Sequence, residues 1–168
     1  MDSSERPKDP PPEPALRGIL FDQFELDSVY CTQSRTITEA DIMAFAGVSG
    51  DFLPLHTDEL YASATPFRGR VAHGLLVHSI ATGLAFQIGI FQGSMAAMTE
   101  IILRFEAPVH PGDTIRLDLT VLEKDPTPSH RRGWMRFRAA VYNQREERVS
   151  DGEWRVLVNR QHPRRRRK

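Results

Sequence analysis

Residues 73–91, "HGLLVHSIATGLAFQIGIF", contain no Asp, Glu, Lys or Arg. A surface helix keeps one charged face, so a stretch that is apolar nearly all round has to be buried on most sides. No run in the chain reaches the ~18 uninterrupted apolar residues expected of a membrane span, so a helix inside a protein core is the expectation. Something must cover it, and the C-terminal half offers the cover. "AMTEIILRFEAPV", "DTIRLDLTVLEK", "GWMRFRAAVYNQ" and "RVSDGEWRVLVN" are rich in Val, Ile, Leu, Phe and Trp with partial alternation. They are separated by "HPGD", "DPTPSHRR" and "QREE" and read as a meander of antiparallel strands. A long antiparallel sheet beside one buried helix is an α+β arrangement, the sheet wrapped around the helix. Its edge or outer face is open to pairing with another copy. A chain of 168 residues is enough for one such domain.

Upstream, "VYCTQSRTIT" (29–38) reads as a strand. In "TEADIMAFAGVSG", Thr38 is placed to cap a helix with Asp41 three residues on. Ile42, Phe45 and Ala46 fall on one face, and Gly47 and Gly50 are expected to end it. Thr57 is expected to cap a second short helix, "DELYASA". The proline-rich residues 1–17 read as a disordered arm. They lack the apolar core of a secretory signal.

Basic and acidic residues balance at 22 each, but residues 160–168, "RQHPRRRRK", hold six of the basic ones and no acid. The rest of the chain is therefore net acidic, unlike a nucleic-acid-binding domain, and the end reads as a solvated, disordered basic tail. The intervening residues 18–159 form the expected domain. The single cysteine, Cys31, excludes an internal disulfide and a Cys-based zinc site. A cytoplasmic protein without membrane attachment is the expectation.

"SGDFLPLHTD" (49–58) places a carboxylate, Asp51, and an imidazole, His56, on either side of Pro54. A helix would set them about 500° apart around its axis, which is not one face. Pro54 also disfavours a helix here, because it lacks an N–H and restricts Leu53 before it. The stretch therefore reads as a bend carrying two titratable groups among Phe52, Leu53 and Leu55.

This bend, the later "RVAHGLL" (70–76) and "LRFEAPVHPGDTIRL" (103–117) together resemble the MaoC-like dehydratases and (R)-specific enoyl-CoA hydratases, over roughly residues 20–158. Gly50, Asp51, Pro54, His56 and Asp58 match the first family motif, and Ala72, His73 and Gly74 match the second. Phe105, Pro108, Val109, Gly112 and Asp113 match the third. The chain departs at Leu53, where the family usually has Asn. The resemblance implies a single hotdog fold and a homodimer or dimer of dimers. It also implies a reversible hydration of 2-enoyl thioesters of CoA or acyl carrier protein to (R)-3-hydroxyacyl thioesters. No organic cofactor and no metal are implied, and nucleic acid is not an expected partner.

Such a hydration needs a group to take a proton from water as it attacks, a group to give one to the α-carbon, and donors for the thioester oxygen. Asp51 and His56 are the acid–base candidates. Gly74 opens the buried helix, where backbone N–H groups lack intrahelical partners and a ligand can approach closely. By the resemblance its N–H holds the thioester oxygen. Thr82, two turns on, aligns with a supporting hydroxyl in some relatives. Pro54 and His73 are expected to order the site, and His78 to be a core histidine. Arg68, Arg70 and Arg104 are candidates for CoA phosphates.

Two other functions compete. A hotdog thioesterase commonly uses an acid on or near the central helix, and residues 73–91 contain none. A non-catalytic acyl-CoA-binding module draws its support from the basic tail alone, while the chain retains both Asp51 and His56.

Overall fold

The computed structural model describes residues 18–161, apart from the side chains of residues 127 and 128. The expected arm therefore lies outside the described residues, as does all of the expected tail except Arg160 and Gln161. Arg160 is anchored: its guanidinium lies 4.8 Å from the centre of the Phe21 ring and 3.6 Å from Asp22.

Six strands form one sheet. After a short 3-10 turn at Phe21–Gln23 come β1 (Val29–Cys31) and β2 (Arg35–Thr36). Three helices follow, α1 (Glu39–Ser49), α2 (Pro54–Thr57) and α3 (Glu59–Ser63), then the long α4 (Gly74–Gln87). The chain closes with β3 (Met95–Phe105), β4 (Thr114–Ser129), β5 (Arg132–Asn143) and β6 (Arg148–Asn159). The order across the sheet is β1-β4-β5-β6-β3, with β2 also on β4, and every pairing is antiparallel.

The expected core helix is there. Leu76, Val77, Ile80, Ala81, Leu84 and Ala85 of α4 are buried, and the alternate residues Leu117, Leu119 and Val121 of β4 and Met135, Phe137 and Ala139 of β5 face it. Trp154, Val156 and Val158 of β6 complete the wall. Each large side chain so buried contributes about 1.5–3 kcal/mol, so one helix wrapped by the sheet supplies the core. No helix among the described residues is long and apolar enough to cross a membrane.

Several local expectations are corrected. The four C-terminal strands are not a simple meander, because β3 pairs with β6 at the far edge rather than with β4. Strand β4 runs on through Asp125–Ser129, read in the sequence as a break; Pro126 sits in the register shift between the Asp125–Trp134 and Ser129–Arg132 pairs with β5, an irregularity where a missing N–H is tolerated. Residues 29–38 form two short strands rather than one. Gly47 lies inside α1. Gly50 ends that helix in the left-handed conformation (φ 78°), its N–H donating to the Ala46 carbonyl. Thr38 caps α1 as expected, in a reciprocal capping box with Asp41. Pro54 does not prevent a helix but starts one, taking the first position of α2, where its missing N–H costs nothing. Asp58, not Thr57, caps α3, accepting from the Tyr61 N–H.

Candidate active site

The bend that carries Asp51 and His56 is built by short-range hydrogen bonds. Asp51 Oδ1 accepts from the Leu53 N–H at 3.2 Å, and the Leu53 carbonyl accepts from the His56 N–H at 2.8 Å. Both contacts use Leu53 backbone, and its side chain is 51 % exposed. The departure from the family Asn thus leaves this turn intact through main-chain atoms.

The segment leading into α4 closes over the bend. The Val71 N–H donates to the Leu55 carbonyl (3.3 Å) and the Ala72 N–H to the Val109 carbonyl (2.7 Å). His56 is buried, and its Nδ1 lies 2.7 Å from the Val71 carbonyl oxygen. A carbonyl can only accept, so Nδ1 carries the proton and Nε2 presents a lone pair. His73, also buried, places Nε2 2.9 Å from the Asp51 main-chain carbonyl and is protonated there by the same argument. Its ring stacks on that of His56, centroids 3.7 Å apart and planes 30° from parallel. Asp51 is exposed, with Oδ2 4.0 Å from His73 Nε2. One ligand atom from each of Asp51, His56 and His73 lies within 4.8 Å of the others.

Three such donors raise the question of a metal ion. Imidazole binds a metal through a lone pair in its ring plane, at about 2.0–2.1 Å for zinc. Two stacked rings carry those lone pairs in neighbouring, nearly parallel planes, which does not converge them on one ion. The spacing suits a hydrogen-bonded water between carboxylate and imidazole.

Gly74 opens α4, with His73 as its N-cap and no side chain capping the helix. Its N–H, the first of the helix, has no intrahelical partner. A Cβ at this position would meet Phe105 Cε1 at 2.6 Å, so the glycine is needed for the close approach of that ring. Gly74 lines a cavity of about 310 Å³ whose walls include Phe67, Val71, Val77, Phe105 and Val149. The third sequence motif builds this wall. Phe105, Pro108 and Val109 line the cavity, while Gly112 (φ 92°) and Asp113 fix the turn behind it. Burial works to raise the Asp113 pKa, but hydrogen bonds from Gln144, the His110 N–H and Arg145 outweigh it and hold the carboxyl ionised below its usual range.

The other candidates stand apart. Thr82 donates to the His78 carbonyl one turn back (2.9 Å) and does not line the cavity. Arg70 donates through Nε to Glu59 (2.9 Å) and through both Nη atoms to Glu39 (2.7 and 2.6 Å). The Glu59 bond leads the effects that hold its pKa above the usual guanidinium value. Arg104 is exposed on β3, and Arg68 is exposed with a positive φ of 59°. His78 is buried, and its Nε2 accepts from Trp154 Nε1 at 2.9 Å. The stacking of His73 on His56 and the part of Ser150 in the cavity wall had no signal in the sequence. Both arise from pairings between segments distant along the chain.

Residues 23–133 match the family described as MaoC like domain. The 3-hydroxybutyryl-CoA dehydratase of Methylorubrum extorquens is 32 % identical over 146 residues, 86 % of this chain and 87 % of that one. Protein MaoC of Klebsiella aerogenes is 35 % identical over 139 residues, which are 83 % of this chain and 38 % of the relative's length. Among solved structures, the unliganded R-hydratase PhaJ1 of Pseudomonas aeruginosa superposes with a TM-score of 0.68 at 32 % identity, covering 86 % of this chain and 88 % of that one. A conserved hypothetical protein of Mycobacterium tuberculosis with a double hotdog fold superposes with a TM-score of 0.74 at 22 % identity, over 86 % of this chain and 45 % of that one. The sheet wrapped on α4 is thus a hotdog fold.

Proposed function

The chain belongs to the MaoC-like hydratase/dehydratase family, and from this we propose that it reversibly hydrates 2-enoyl thioesters of CoA or acyl carrier protein to (R)-3-hydroxyacyl thioesters. The observation that carries the proposal is the approach of Asp51 and His56 within 4.8 Å, beside a helix that opens at Gly74. The Asp51 carboxylate and the unprotonated His56 Nε2 hold one water. As its oxygen bonds to the β-carbon, His56 Nε2 takes the proton, and the C=C electron pair moves toward the thioester carbonyl. The developing oxyanion accepts from the Gly74 N–H, the role an oxyanion hole performs. The imidazolium then returns the proton to the α-carbon, and the carbonyl re-forms. Oxygen and proton come from one dyad, so they add to the same face. Dehydration is the reverse of the same path.

His73 orders the site by binding the Asp51 carbonyl and stacking on His56. Arg70, engaged by two glutamates, is better suited to bracing α1 against α3 than to holding a CoA phosphate. The exposed side chains Ile101, Ile102 and Phe105 on edge strand β3 support a homodimer or dimer of dimers. The lone exposed thiol of Cys31 suits the reducing cytoplasm.

The test is hydration of a 2-enoyl-CoA with chiral analysis of the product. Asp51→Asn and His56→Ala are each expected to lower turnover about 10²–10⁴-fold without loss of the folded state. The double variant is expected to fall little below the worse single one, because the two groups act as a unit. An (S) product, or a single variant with near-wild-type turnover, overturns this reading.

A further inference from the structure

The cavity beside Gly74 is lined mainly by apolar residues, and the two residues with polar side chains in its wall are Glu106 and Ser150. Glu106 is already satisfied: both carboxylate oxygens accept from Arg148, at 2.6 and 3.1 Å. Ser150 is not. It is 2 % exposed, and its Oγ is buried with no hydrogen-bond partner among the described residues. Its place in the sheet turns it toward the site. Ser150, Gly152 and Trp154 share one face of β6, and Trp154 reaches α4 through His78. Across the two neighbouring strands Ser150 pairs with Val141 and with Phe105, the ring that covers Gly74.

A buried hydroxyl without a partner is destabilising, and native proteins seldom keep one without a use. Alanine or valine would have completed an apolar acyl pocket there without that cost. The volume, about 310 Å³, is at the small end of ligand pockets, which run to ~300–1,000 Å³.

We propose that Ser150 is a specificity-determining residue whose hydroxyl binds an oxygen carried by the acyl chain. The preferred substrates are short 2-enoyl thioesters bearing a hydroxyl or keto group beyond the double bond, rather than plain hydrocarbon chains. A serine hydroxyl both donates and accepts, so either group completes its bonding. The proposal rests on the hydratase reading and adds to it the class of acyl group. The N–H and C=O groups of the amides in a pantetheine arm can hydrogen-bond the same serine hydroxyl, and the experiment separates the two sources.

The experiment measures kcat/KM for hydration of paired 2-enoyl-CoAs, one a hydrocarbon chain and one of equal length with a hydroxyl or keto group, in wild type, Ser150→Ala and Ser150→Val. Wild type is expected to favour the oxygenated member by about tenfold or more, and both variants to lose or reverse that preference. Thermal melts of Ser150→Ala are expected to hold or rise, since an unpaired buried hydroxyl is removed. Equal preference in wild type and Ser150→Ala overturns the proposal and leaves the hydratase reading standing. An equal fall on both chains in Ser150→Ala also overturns it, assigning the hydroxyl to the pantetheine arm. A lowered melting temperature with unchanged selectivity makes Ser150 structural and overturns it too. Absence of hydration with every member removes the hydratase reading, and this proposal with it.

Discussion

His78 makes the stability of this fold depend on pH in a window that can be calculated. The imidazole sits on the buried side of α4, accepts from the Trp154 indole N–H at 2.9 Å, and is pushed by burial down to about 4. In the unfolded chain it titrates near its ordinary value of 6.5. Between those values the unfolded state binds the extra proton, so stability falls as pH is lowered from about 6.5 to about 4 and is fully present above that range. From pH 7 to pH 5 the unfolded histidine becomes almost fully charged while the folded one stays almost neutral. At ~1.4 kcal/mol per pH unit, over roughly one and a half units, the loss is at most about 2 kcal/mol, and relaxation around the ring reduces it toward about 1 kcal/mol. The perturbation is His78→Gln, which keeps an acceptor for Trp154 and does not titrate. Urea unfolding at fixed protein concentration, followed by tryptophan fluorescence at pH 7 and pH 5, gives the two differences. The wild type is expected to lose about 1–2 kcal/mol more than the variant over this interval. Parallel losses in the two proteins would refute the reasoning, because they would mean that the buried imidazole accepts its proton without unfolding.

Gly74→Ala would set a methyl 2.6 Å from the Phe105 ring. That ring is 57 % exposed and can swing away, so the melting temperature is expected to hold. Alanine keeps the N–H, but its methyl and the displaced ring obstruct the approach of the thioester oxygen to the proposed donor. The expected result is a fall in kcat/KM of about 10²–10³-fold, whereas unchanged kcat/KM would show that no close approach to this amide is needed. Leu53→Ala is expected to cost less than about 0.5 kcal/mol, as suits an exposed side chain, in urea unfolding at neutral pH. Leu53→Pro fits the observed φ of −52° but deletes the N–H that Asp51 accepts. It should lower turnover about tenfold, ~1.4 kcal/mol at the transition state, with little change in melting temperature, and unchanged turnover would show that this bond does not position the carboxylate.

The elements whose information is local were legible in the sequence. A helix without charges can only be a core helix, and α4 is one. Thr38 and Asp41 spell out a capping box, and the structure contains it. What failed was of two kinds. The first was local chemistry with two readings: Pro54 both ends helices and begins them, and only the hydrogen bond of the Asp58 N–H to the Pro54 carbonyl shows which applies. The second was pairing at a distance. Alternation predicts that residues 97–109 form a strand but says nothing of its neighbour, and β3 crosses to β6 because the helix has to be enclosed from both sides. That crossover brings Phe105 over Gly74 and beside Ser150. The site divides along the same line. Asp51 and His56 share one short bend and could be read together, whereas the carbonyl that fixes the His56 tautomer belongs to Val71, the ring stacked on it to His73, and the unpaired hydroxyl to a strand closing more than seventy residues later. The acid–base pair proposed for this chain therefore lies within one contiguous motif, while the polarity proposed to select the acyl group depends on strand pairing, which places Ser150 beside Phe105 from outside the motifs.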